Sequence, residues 1–140
     1  VQWIEDSNFK EDFKYKELYG SKITPFIIKI YNSSLGGDIP SNDFHIEHIL
    51  PQNPDSSWIQ FNDDERTKYT YILANLTPLT VKMNSSHANK SYEKKKKEYK
   101  ADSMYKMTRD LANHHTRWTK SDIEDRAEKM SSWALKEWIF

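Results

Sequence analysis

The chain has no cysteine, which excludes disulfides and thiolate-bound zinc and fits a cytoplasmic setting. It has no apolar run long enough to span a membrane and no visible signal peptide, so no membrane partner is expected. Its formal net charge is zero, and nothing global points to nucleic acid. Hydrophobic residues make up only 36 % of the 140 positions, while charged residues reach 30 %. Six Phe, eight Tyr and five Trp offset that shortage, because each aromatic buries a large area. The expectation is one domain, or one domain with a helical extension, around a modest aromatic core. No repeat or long linker is present. The chain begins at Val1 rather than Met, and we expect it to be a piece of a longer polypeptide.

Charge is unevenly distributed. Residues 81–100 carry seven lysines (82, 90, 94, 95, 96, 97 and 100) against Glu93 and Glu98. Asp55, Asp63, Asp64 and Glu65 form an acidic counterpart. A lysine strip is most simply a solvated helix face, but beside a metal site it would suit phosphate.

Hydrophobic spacing predicts helices over residues 9–19 and from Thr24-Pro25, with Gly36-Gly37 closing the second. A helix over 62–73 opens at an Asn/Asp cap, and Ala74–Leu79 is short and strand-like, with Pro78 at an edge or end. Thr80 and Asn89 are candidate caps for further helices, and Met104–Ala112 suggests another. Ser121-Asp122-Ile123-Glu124 reads as a capping box opening a last helix with the stripe Ile123, Ala127, Met130, Ala134 and Trp138.

The chemistry concentrates in Phe44–Pro54, where two of the five histidines and a glutamate fall within four residues. Pro51 closes the run three residues after His48, so a strand entering a loop is the better reading. Glu47 offers a carboxylate oxygen and Asn84 a carbonyl oxygen, donors that select Mg²⁺, Mn²⁺ or Ca²⁺. His48 has the pKa range of a general base for water. Neighbours in a strand face opposite sides, so Glu47 and His48 share a site only if the strand end twists or bulges.

Glu47-His48, then Asn75, then Asn84 resembles the three-part motif of HNH endonucleases, the His-Me finger group. The longer set is His45-Ile-Glu47-His48-Ile-Leu-Pro51-Gln52, Asn75-Leu76-Thr77, Asn84, Tyr92-x-x-Lys95-x-x-x-Tyr99, Trp118 and Arg126. It resembles, over about residues 42–138, the C-terminal domain of GmrSD-like modification-dependent restriction enzymes.

The resemblance implies an α+β fold, a small ββα-metal finger embedded in a mostly helical domain. Residues 1–41 would be a helical scaffold and 42–140 the nuclease domain, together one unit. Its implied activity is metal-dependent DNA cleavage or nicking in defence against foreign or modified DNA, within a larger polypeptide. Glu47 and Asn84 would hold one divalent ion, Mg²⁺ or else Mn²⁺, and His48 would be the base. Asn75 would brace the loop that orients His48, and His45 would touch phosphate or support the metal. Lys90, Lys94 and Lys97 would meet the DNA backbone, while Tyr92, Tyr99 and Trp118 belong to the core and Lys95 snorkels out of it. Two rivals stand beside this reading. One is a zinc hydrolase using His45, His48 and another histidine, which lacks the expected ligand spacing. The other is a non-catalytic module that binds DNA or a partner through the lysine-rich face.

Overall fold

A computed structural model describes residues 5–38, 44–81, 90–102 and 104–138. Helix α1 (Asp6–Tyr15) carries Phe9 and Phe13 stacked on one face. Helical spacing predicts that it continues to residue 19, but it stops at Tyr15 and Lys16 is extended. Long-range pairing overrides local periodicity here. Glu17 forms a bridge with Ile72, and the N–H groups of Leu18 and Tyr19 both donate to the Tyr71 carbonyl.

Helix α2 (Thr24–Ser34) has Pro25 in its first turn, where a missing N–H costs nothing. Ile23, not Thr24, holds the cap position, and the Thr24 hydroxyl instead donates to the Leu18 carbonyl. Gly36, at φ +87°, takes the left-handed turn that ends the segment.

Strand β1 (Phe44–His48) pairs antiparallel with β2 (Leu76–Thr80), one residue against one, from Phe44–Thr80 to His48–Leu76. Pro78 sits mid-strand opposite Ile46 rather than at an end. A two-stranded sheet tolerates it, because half of the N–H groups of β2 face away from its partner. Between the strands lie α3 (Asp63–Tyr69), capped by a reciprocal Asn62–Glu65 box, and a 3₁₀ turn at Leu73–Asn75. The helix predicted over 62–73 therefore ends early, and Leu73 enters the core from the turn.

After the hairpin come α4 (Tyr92–Asp102), α5 (Lys106–His114) and α6 (Lys120–Glu137). The capping box of α6 is built on Thr119 and Asp122, two residues before the one read from sequence. Its predicted stripe is otherwise buried, except that Trp138 is half-buried against Trp133. The helix expected at Thr80 falls largely on residues outside those described; the one expected through Tyr92 and Tyr99 is α4, and only its candidate cap Asn89 lies outside them.

Two buried clusters hold the molecule together. One gathers Trp58, Tyr69, Tyr99 and Trp118 around the end of the hairpin. The other seats Ile27, Ile28 and Tyr31 of α2 against Leu73, Met107 and Met130. Helix α1 is fastened to α6 by polar contacts: Glu124 accepts from the Tyr15 and Tyr69 hydroxyls, and Lys14 pairs with Glu128 at 2.7 Å. The fold is thus α+β, a two-stranded antiparallel sheet in a mostly helical chain. Among the described residues no helix is long and apolar enough to cross a membrane.

Candidate active site

The loop that leaves β1 is held by one side chain. Asn75 Oδ1 accepts from the Leu50 N–H at 2.8 Å and from the Trp118 indole N–H at 3.1 Å. Its Nδ2 donates to the carbonyls of Leu50 and Thr70, both at 3.0 Å, and its own carbonyl accepts from Ile49 N–H at 2.9 Å. The amide is fully buried with every donor used, which only an asparagine of this reach satisfies. From α6, Arg126 Nη1 donates to the carbonyls on either side, Ala74 at 2.7 Å and Leu76 at 2.8 Å. The segment carrying Asn75 is therefore clamped from behind.

Glu47 and His48 occupy the braced end of β1, and both are buried. The register contains no bulge, so the two side chains alternate to opposite faces of the strand. Glu47 faces α4: the Tyr99 hydroxyl donates to its Oε2 at 3.0 Å, and the Lys95 ammonium lies 3.4 Å from the same oxygen. Lys95 does not snorkel. It is 1 % exposed, donates to the carbonyls of His48 and Ile49 at 3.0 Å each, and lies 5.6 Å from the Trp58 ring centroid. A chain end with two bent-out carbonyls and a carboxylate offers an ammonium more than water would, so the stem does not turn outward. Burial lowers the Lys95 pKa, with Glu47 opposing, and burial beside Glu47 raises that of Tyr99 well above the usual phenol value.

His48 lies on the other face, against two tyrosines. Its ring centroid is 4.2 Å from that of Tyr19 and 5.5 Å from that of Tyr71, both edge-on. Its Nε2 is enclosed without a hydrogen-bond partner. Burial, then the Lys95 charge, lowers its pKa to about 4. The imidazole is consequently neutral at pH 7 and able to accept a proton.

The remaining candidates are placed as follows. His45 is exposed on β1 and, by strand alternation, shares the Glu47 face. Lys94 and Lys97 are exposed on α4. Lys90 precedes that helix and is half-buried, its ammonium bound to Glu98 at 2.9 Å, so it does not continue the helical face of Lys94 and Lys97. Asn84 and His87 lie outside the described residues. His114 is exposed, and His115 is buried with Nδ1 2.9 Å from Asp122.

Among the described residues no three His, Cys, Asp or Glu side chains converge as a metal cluster. By donor type the hairpin end nevertheless fits a hard cation, since Glu47 supplies a carboxylate oxygen and no thiolate is present. Any such ion would share that carboxylate with Tyr99 and Lys95. The Lys95 contact had a signal in the sequence: Tyr92, Lys95 and Tyr99 recur at helical spacing, which sets Lys95 on the buried face. Tyr19 and Tyr71 had none, because they belong to loops brought together by long-range backbone pairing, the Glu17–Ile72 bridge and the bonds to the Tyr71 carbonyl.

The chain matches the family described as GmrSD restriction endonucleases, C-terminal domain, over residues 3–133. No curated protein and no solved structure matches it. The match runs through the hairpin, the Asn75 brace and the helices that clamp it. The chain belongs to the C-terminal domain family of the GmrSD restriction endonucleases.

Proposed function

We propose that this domain is an HNH-type, metal-dependent endonuclease or nickase that hydrolyses phosphodiester bonds of foreign or modified DNA. The observation that carries the reading is a neutral imidazole with an unpartnered Nε2, next in β1 to a buried carboxylate that faces the other side, at a hairpin end braced by Asn75.

His48 accepts a proton from water, whose oxygen attacks phosphorus as the bond to the leaving ribose oxygen breaks. A base near pKa 4 is weak, but a phosphodiester anion entering beside it raises its proton affinity. Asn75 fixes the backbone that aims His48, and Lys95 holds the His48 carbonyl from the opposite side. A divalent ion held by Glu47 and Asn84, Mg²⁺ with Mn²⁺ as a substitute, would supply positive charge to the phosphate and leaving oxygen. His45 sits on the Glu47 face, where it would support that ion or touch the phosphate. DNA and the rest of a larger restriction polypeptide are the partners of this reading.

Incubation of the chain with supercoiled plasmid tests it. Relaxed or linear plasmid is expected with Mg²⁺ or Mn²⁺, and none with EDTA. DNA binding without cleavage in any divalent metal would leave a binding module in its place.

The lysines make a separate prediction. Lys94→Ala and Lys97→Ala should weaken DNA binding alike for every sequence and flatten the slope of log K against log salt by roughly 0.9 each. Lys90→Ala should do less, since Glu98 already holds its charge. Fluorescence anisotropy over a salt series measures all three, and unchanged slopes would move the DNA surface elsewhere.

A further inference from the structure

The two tyrosines at His48 have no part in the chemistry above, yet they form the wall of the site. Tyr19 is 43 % exposed although its ring packs edge-on against a buried imidazole. Its backbone is not loose. The Tyr19 N–H donates to the Tyr71 carbonyl, and the adjoining Glu17–Ile72 bridge ties the same two segments together. The two rings lie 6.0 Å apart and 35° from parallel. The Tyr71 hydroxyl reaches Gln52 at 3.4 Å, in the loop that follows His48. A firmly seated aromatic pair thus opens to solvent immediately beside the proposed base.

Its chemistry decides what part of a nucleic acid it takes. The faces of a phenol ring carry negative quadrupole charge, so they disfavour a phosphate and favour a flat, electron-poor base. Stacking of this kind tolerates any sequence, because every base has a π-face. In a closed duplex those faces are covered by neighbouring bases, and a base meets Tyr19 only where the stack is opened. We infer that Tyr19 and Tyr71 form a stacking shelf for an unpaired nucleobase flanking the scissile phosphodiester, so that the site favours locally opened DNA. This rests on the nuclease reading for the phosphodiester, though the shelf itself is a binding site. Tyr19 and Tyr71 act as positioning residues.

Anisotropy in chelating buffer, where no cleavage occurs, compares a duplex containing a short unpaired bubble with the same duplex fully paired. The 140-residue chain should bind the bubble about tenfold more tightly. Tyr19→Leu with Tyr71→Leu should abolish that preference, whereas Tyr19→Phe with Tyr71→Phe should keep it. If the leucine pair does not fold by circular dichroism, Tyr19→Leu alone removes the more exposed ring and should still erase most of the preference. Equal binding of both duplexes by the parent, or a preference that survives leucine, overturns the shelf. Nicking of plasmid by a parent that shows no bubble preference overturns the shelf and leaves the nuclease standing. A preference that follows Tyr19 in a chain that never cleaves supports the shelf and removes the nuclease.

Discussion

Replacing His48 with alanine is expected to slow plasmid cleavage by roughly 10²–10⁴-fold, the range a positioned general base contributes. The fold should survive, because the loop beyond His48 is held by Asn75 and by carbonyl contacts from Lys95, none of which uses the imidazole. The same variant has a signature independent of activity. Folded His48 takes up its proton only near pH 4, whereas the unfolded imidazole takes it up near 6.5. Acid therefore favours the unfolded chain: the stability is complete above pH 6.5 and is lost as pH falls toward 4. The loss is on the order of 2–3 kcal/mol at about 1.4 kcal/mol per pH unit of displacement. Denaturant melts at pH 7 and pH 4.5 should show this loss in the parent and much less of it in His48→Ala. Parental cleavage by the variant would remove His48 from the mechanism.

Lys95→Met should produce the largest change in stability. Removing one partner of a buried ion pair leaves the other charge uncompensated, at a cost of about 3–5 kcal/mol. For a chain of this size that is a fall in Tm of roughly 10–17 °C. The loss should exceed that of an ordinary ion pair, since Lys95 also satisfies two buried carbonyls. Adding Glu47→Gln should recover part of it, because the amide keeps an acceptor for the Tyr99 hydroxyl without a charge. Calorimetry on the single and double variants decides the matter, and a Lys95→Met chain as stable as its parent would show that the pair contributes nothing.

The hairpin was readable because proline placement and apolar alternation are local signals, and Asn75 was placed by its order in the motif. What escaped was set by distance in sequence. The end of α1 at Tyr15 depends on Ile72, and no local propensity at residues 16–19 announces that partner. The capping box of α6 was misplaced by two residues: Ser121 is locally the better cap, yet Thr119, next to the Trp118 anchored on Asn75, holds the position. Lys95 was misjudged on the prior that lysine heads seek water; the two carbonyls and the carboxylate that overturn it come from residues 47–49. The faces of Glu47 and His48 were undecidable without the register, which shows them diverging.

The clamp from α6 also orders events in time. Arg126 reaches back some fifty residues to grip the carbonyls of Ala74 and Leu76, and Trp118 reaches back 43 to the Asn75 amide. A chain emerging from the ribosome presents its hairpin residues before either donor. Until Trp118 and α6 dock, Asn75 lacks one of its partners and the backbone around it lacks a guanidinium. The brace beside His48 is thereby completed only once residues 118–126 are in place.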